Sequence, residues 1–452
     1  MRPYTRLARH QGNSSLFFAL DVSILSTSSG IPIHVHAEGL RGTGKTTIMR
    51  SARQILPPIT RIRGCLYNCH PDHPHCPIHK HMTPEEIHAI GTERVTMPYL
   101  EITHSSKMGT AVGSIDLARL TNPAKPEAAL LPGTIPLAHR GIIFVDEINR
   151  LAETSPELAD VLLGVMGTKP GYVKVEETGL VPVEIPVVAS VWAASNPDEE
   201  PGPLEDIRRQ LSDRFDLVVG MARPSQAEDV VRVLEEFSEE FDAFLPEISE
   251  RVALFERDRR IGQVRFPEAL TRLIAGMYVD FGFESLRAVE AMKLSSKASA
   301  LLDGRDVVEL DDIIRVAPMV LRHRVDPTTL NRVLEHLASK RSSVAAGSTG
   351  QKGPGDSQTP ACNESTCESR ATEDSCSPMD RLVSRIRDRL RDMSGGRAGV
   401  SGRTGAGGAR GMGAGFRSPG HIQLTAPPKP ARPLTDLSLV ELIKGEEEPL
   451  RV

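Results

Sequence analysis

The sequence predicts an α/β fold, a parallel sheet flanked by helices, followed by an all-α domain and a mostly disordered tail. Three observations carry this. Between residues 31 and 225, short apolar runs alternate with helix-periodic segments, the pattern of βα units and a parallel sheet. From about 226 to 340 the periodicity is helical throughout. From 341 to 452 the composition turns to glycine, serine and proline, too poor in apolar surface to offset the entropy of ordering.

Residues 1–29 form a segment ahead of the first strand. Its apolar run is short and interrupted by Asp21, which argues against an export signal. "IPIHVHAEG" reads as a strand, "TTIMRSARQIL" as a helix, "GIIFVDE" as a buried strand and "SPELADVLLGVM" as its following helix. "VVASVWAAS" and "FDLVVGMA" are further strands, and together these make the α/β domain of residues 30–225. The helical domain, 226–340, is built from "QAEDVVRVLEEFSEEF", "PEALTRLIAGMYV", "ESLRAVEAMKLSSKASALL" and "ELDDIIRVAPMVLRHR". In the tail, Leu382, Ile386 and Leu390 mark an amphipathic helix over 379–393, and 434–446 looks similar.

The 452 residues carry a net charge of -5, so no global basic field calls for nucleic acid. Arginines among glycines at Arg397, Arg403, Arg410 and Arg417 offer weak support for a DNA-directed motor. No apolar stretch approaches the ~18 residues of a membrane span. A cytoplasmic location is expected. The 6 cysteines fall in two clusters in a long chain, which suits free thiols or metal ligands better than a disulfide framework.

The stretch "GLRGTGKTT" follows the first strand and opens a helix. It is a phosphate-binding loop: Gly39, Gly42, Thr43 and Gly44 wrap phosphates with backbone N–H groups, and Lys45 reaches the β/γ-phosphates of ATP. Thr46, followed by Thr47, supplies a hydroxyl to Mg²⁺. "GIIFVDEIN" ends in Asp146 and Glu147, at the carboxyl edge where ligands of doubly wound sheets sit. Asp146 would hold Mg²⁺, and Glu147 would act as general base on the attacking water. Asn196, at the end of "VWAASN", would orient that water. Arg214, in "LSDRFDLVV", would face the neighbouring subunit's nucleotide; Arg208 and Arg209 compete for that role, and a structural pair with Asp213 or Asp216 is the alternative.

The loop "GCLYNCHPDHPHCPIHKH", 64–81, holds Cys65, Cys69, Cys76 and His79 in a C-x3-C-x6-C-x2-H spacing. Three thiolates and an imidazole suit a closed, structural Zn²⁺ site. His70, His73, His75 and His81 are alternative ligands. An iron–sulfur cluster and a redox-sensitive free-thiol loop remain as other readings. Cys362, Cys367 and Cys376 are read as unligated.

These motifs together resemble the AAA+ P-loop NTPases, and among them the small, I-type ATPase subunit of magnesium chelatase. The resemblance rests on "GCLYNCHPDHP", on "MGTAVGSIDLARL" leading into "LLPGTIPLAHRGIIFVDEINRL", on "GYVKVEETGLVPVEIPVVASVWAASNP" and on the helical segment from Glu284 to Arg324. It implies a β-hairpin insert in helix 2 at about 167–187, a helical lid, and a lid arginine, Arg287, that touches the γ-phosphate. It also implies an ATP-driven homo-oligomeric ring, hexameric, acting on a partner with a von Willebrand A domain or on the chelatase D-type subunit. The alternatives are a DNA-directed AAA+ motor and a MoxR-like chaperone ATPase. The chain departs from the pattern in its histidine-rich loop, its long tail and the absence of a clear "GQ" ahead of the first strand.

Overall fold

A computed structural model describes residues 2–115, 130–167, 170–176, 182–198, 200–235, 244–256 and 261–348. All belong to one unit, Met1–Ser394. The amphipathic stretches 379–393 and 434–446, and Cys362, Cys367 and Cys376, lie outside the described residues.

The chain begins with helix α1 (Ser14–Ser28), then strand β1 (Val35–Glu38) and helix α2 (Lys45–Ser51). Strands β2 (Pro58–Ile62) and β3 (Thr92–Thr96) pair antiparallel around the cysteine loop and α3 (Pro84–Ile90). Next come β4 (Tyr99–Ile102), α4 (Met108–Val112), β5 (Gly113–Ile115), β6 (Leu130–Pro132), α5 (Thr134–Leu137) and β7 (Gly141–Asp146). Helices α6 (Ile148–Thr154) and α7 (Pro156–Val165) lead to an antiparallel hairpin of β8 (Gly171–Val175) and β9 (Val183–Val187). Then follow β10 (Ala189–Ser195), α8 (Leu204–Ser212) and β11 (Leu217–Gly220). The helical part comprises α9 (Ala227–Leu234), α10 (Leu245–Phe255), α11 (Glu268–Asp280), α12 (Leu286–Leu302), α13 (Leu310–Leu321) and α14 (Pro327–Ser348).

The central sheet has five parallel strands in the order β11-β1-β10-β7-β4. Both faces are covered, which is why its strands read as near-continuous apolar runs. Ile142, Phe144 and Trp192 point to one face, and Ile143, Val145 and Val191 to the other. The first face packs on α1, α2 and the helical lid; the second packs on α6, α7, α8 and the cysteine loop.

Residues 1–29 are more than a leading segment. Leu16, Leu20 and Ile24 of α1 are fully buried in the same core as Val35, Trp192, Ala288 and Val316. The helix is apolar on nearly all sides because the sheet covers it from one direction and the lid from another; such a helix gives no amphipathic period to read. Polar bonds fix its angle: Ser23 Oγ donates to Ile33 O (2.6 Å) and accepts from Trp192 Nε1 (2.9 Å). Its one carboxylate, Asp21, is paired with Arg251 of α10. At the far end, α14 continues past residue 341 to Ser348.

Candidate active site

The nucleotide loop stands where β1 ends. β1 is interior to the sheet, between β11 and β10, so the loop emerges at the middle of the carboxyl edge. Gly44 has φ 84° and directly precedes α2, a left-handed conformation that a side chain would disfavour by about 1–2 kcal/mol. A Cβ on Gly39 would stand 2.7 Å from Met221 O, so only glycine allows the loop to pass the end of β11. Lys45 is buried and curls onto the loop: its Nζ donates to Gly39 O (2.5 Å) and Leu40 O (2.8 Å) and lies 3.5 Å from Thr43 Oγ1. Thr46 and Thr47 follow in the first turn of α2.

β7 brings the acidic pair to the same edge, two strands away from β1. Thr46 Oγ1 donates to Asp146 Oδ1 at 3.2 Å. Glu147 is not the next strand residue. It turns into the left-handed region, φ 52°, and starts α6. Its carboxylate accepts from Arg150 Nη1 at 3.1 Å. Arg50, one turn beyond Thr46, bridges Asp146 (3.5 Å) and Glu101 of β4 (3.0 Å). Neither Arg50 nor Glu101 was singled out from sequence. Arg50 falls four residues after Thr46 on the same helix face, a spacing visible in the sequence; β4 spans only Tyr99–Ile102 and gives no clear strand signal.

Asn196 sits at the carboxyl end of β10, but its side chain is turned into a local bend. Its Oδ1 accepts from Asp198 N (3.3 Å), and its carbonyl accepts from Asn149 Nδ2 (3.2 Å). An Asn before a proline commonly closes such a turn.

The arginines separate clearly. Arg208 pairs with Asp160 and donates to Pro156 O, and Arg209 pairs with Glu284. Asp213 is taken by two lid residues, Arg287 (3.5 Å) and Arg324 (3.3 Å), while Asp216 accepts from His34 N. Arg214 takes none of these. Its guanidinium lies at the end of α7, 3.0 Å from where a Cβ on Gly167 would be. Partial burial and the charge of Arg287 both pull its pKa down, and the nearby Asp213 carboxylate opposes the fall. Arg287 and Arg214 therefore share one neighbourhood around Asp213. The lid residue that reaches the β1 end is instead Arg322, 3.5 Å from Glu38 Oε2.

Behind the loop, His36 of β1 is fully buried, 2.8 Å from Ser195 Oγ, and burial pushes its pKa down to about 4. Burial also raises the pKa of Glu38, with Arg322 opposing the rise.

The AAA lid domain family matches residues 272–337, from α11 into α14. The chain is 29% identical over 351 residues to the magnesium-chelatase 38 kDa subunit of Acidiphilium rubrum, covering 76% of this chain and 96% of that protein. A magnesium-chelatase subunit ChlI homolog of Methanocaldococcus jannaschii is 27% identical over 307 residues, covering 65% and 80%. The 38 kDa subunit of Rhodobacter capsulatus is 30% identical over 297 residues, covering 64% of this chain and 79% of that one. The chain belongs to the magnesium-chelatase ATPase subunit family, within the AAA+ group.

Along the chain the parts follow in the order phosphate loop, carboxylate strand, hairpin before β10, then lid. The Cys/His loop is arranged apart from the nucleotide edge. Cys65, Cys69, Cys76 and His79 are buried, and one ligand atom from each lies within 4.8 Å of the others. Among the described residues, no helix is long and apolar enough to cross a membrane.

Proposed function

We propose that this chain is the ATP-hydrolysing subunit of a magnesium-chelatase-like complex in the cytoplasm. It works in a homo-oligomeric, hexameric ring. The ring acts on a partner with a von Willebrand A domain, the chelatase D-type subunit, in metal insertion or in remodelling of a related complex. The observation that carries this reading is the meeting of Thr46 with Asp146 beside Lys45 and Glu147.

Thr46 Oγ1 and the Asp146 carboxylate are hard oxygen donors 3.2 Å apart, and they fit Mg²⁺ bound with ATP. When held there, the ion would offset the negative charge of the phosphates. Lys45, now bonded to the loop carbonyls, would donate to the same phosphates. Glu147 is only half-buried and holds Arg150 across one helical turn; released from that pair, its carboxylate can take a proton from the attacking water. Arg214 neutralises charge on the adjacent subunit's nucleotide. Arg287, which shares its electrostatic neighbourhood, addresses the same nucleotide.

Glu147→Gln tests the core of this reading. The variant binds ATP with wild-type affinity, turns it over at least ~100-fold more slowly, and accumulates as an assembled ring. A pull-down with the trapped variant in ATP then recovers a von Willebrand A protein. Loss of nucleotide affinity in this variant would contradict the assignment of Glu147 as base.

A further inference from the structure

We propose that Cys65, Cys69, Cys76 and His79 bind one zinc ion in a closed site that holds the amino-terminal edge of the sheet. The four candidate ligand atoms lie within 4.8 Å of one another and all four residues are buried. Ligands around one tetrahedral zinc, at ~2.0–2.3 Å from the metal, stand roughly 3.5–3.8 Å apart. Small side-chain adjustments close the remaining gap.

The loop is built from two tight turns that present the ligands from opposite sides. In the first, Cys65 N donates to Ile62 O (3.1 Å) and Asn68 N to Cys65 O (3.3 Å), with Asn68 left-handed at φ 52°. In the second, His79 N donates to Cys76 O at 3.1 Å. Cys69 Sγ accepts two backbone N–H bonds, from His75 and Cys76, each at 3.4 Å. That arrangement suits a thiolate acceptor, the form in which cysteine binds metal. His79 presents Nδ1, 3.1 Å from Cys76 Sγ.

The competing histidines lie outside the four-ligand cluster. His75 stacks on His139 with ring centroids 3.8 Å apart, and its Nδ1 lies 3.3 Å from Cys69 Sγ as a neighbour of the ligand set. His70 pairs with Asp72 and stacks on His73, and His81 is exposed. Partly buried Arg140 lies within electrostatic reach of Cys69, and its charge balances the single negative charge of a zinc bound by three thiolates and a neutral imidazole.

The position separates this site from ATP chemistry. Asn68 Nδ2 donates to Leu137 O (2.7 Å), and His139 Nδ1 accepts from Val188 N (3.1 Å). Leu137 and His139 lead into β7, and Val188 leads into β10. The loop thus braces the amino ends of the two strands whose carboxyl ends hold Asp146 and Asn196. Those ends are about 17 Å apart along β7, at ~3.3 Å per residue. The zinc is structural, and its loss leaves the phosphate loop intact.

The test is metal analysis of the purified full chain by plasma mass spectrometry, with nucleotide binding measured in parallel. The expected result is about one zinc per chain, lost in Cys69→Ser and Cys76→Ser and kept in His75→Ala, with ATP binding retained in all. Should the cysteine variants fail to fold, a mercurial thiol reagent is titrated into a Cys362→Ser, Cys367→Ser, Cys376→Ser chain. Zinc release to a chromophoric chelator in step with the remaining thiols supports the site. A chain without zinc, zinc that survives modification of these thiols, or iron with visible cluster absorption overturns it. Metal content and ATP turnover are separate readouts, so either reading can fail alone.

Discussion

Arg214 gains its meaning from what its neighbours do. Arg208, Arg209, Arg287 and Arg324 all form carboxylate pairs within the chain, and among the described residues Arg214 is set against Gly167 at the end of α7, with Asp213 near it. A cation placed this way is suited to charge supplied by another molecule. Arg214→Ala should therefore leave ATP binding intact and lower turnover on the order of 10³-fold. Mixed with Lys45→Ala chains, themselves unable to turn over ATP, it should recover activity, because a Lys45 site then meets an intact Arg214 from the next chain. A mixture as inactive as its parts would place the arginine in its own chain's chemistry or in none.

His36 gives a second prediction at this scale. Its folded pKa of about 4 lies below the ordinary value of 6.5, so the folded chain binds fewer protons than the unfolded one between these limits. Its contribution is full above 6.5 and is lost progressively as pH falls toward 4. The shift corresponds to about 3 kcal/mol. His36→Gln keeps a polar partner for Ser195 and cannot titrate. Urea unfolding at about pH 7 and about pH 4.5 should show the variant losing less stability than wild type by roughly that amount; parallel losses would remove His36 as a titrating group.

Among the elements, α1 carries the sharpest expectation. Leu20 is fully enclosed between sheet and lid, with no solvent side toward which the site could relax. Leu20→Ala should lower stability by about 2–5 kcal/mol, read as a fall in the denaturant midpoint. A change under ~1 kcal/mol would mean that the helix is loosely held. The element scale also shows what the sequence could and could not disclose. β7, β10 and β11 were legible because strands buried on both faces are nearly continuous apolar runs, and β1 because it leads directly into the phosphate loop. The phosphate loop was legible because its glycines and lysine are spaced by a phosphate's needs. The side of Asp213 on which Arg287 lies was not, since it depends on how α12 meets the turn before β11. Nor was the turning of the Asn196 amide onto Asp198, which a local hydrogen bond decides.

Across the whole molecule, the lid is joined to the sheet by packing and by ion pairs of Arg287, Arg322 and Arg324, of which Arg324 is the most deeply buried. Arg324, between α13 and α14, donates to Asp213 O (2.9 Å), Phe215 O (2.8 Å) and Asp216 O (3.4 Å), and pairs with the Asp213 carboxylate. Burial lowers its pKa, and Asp216 and Asp213 hold the charge. Arg324→Ala strands these carbonyls and should destabilise the chain by about 3–5 kcal/mol. Hydrogen exchange should then rise across α13 and α14 before it rises in β7 and β10. Uniform exchange across lid and sheet would show that the junction melts only with the whole.

The enclosure of α1 also bears on how the chain is made. A ribosome delivers Ser14–Ser28 long before Ala189–Ser195 of β10 and Leu286–Leu302 of α12, the surfaces that cover it. At ~5–20 residues per second, the newborn helix waits on the order of ten seconds or more with its apolar surface open. Nascent chains of this protein must be shielded over that interval, and expression clones that begin at the phosphate-loop strand would leave an open trough along the sheet and lid.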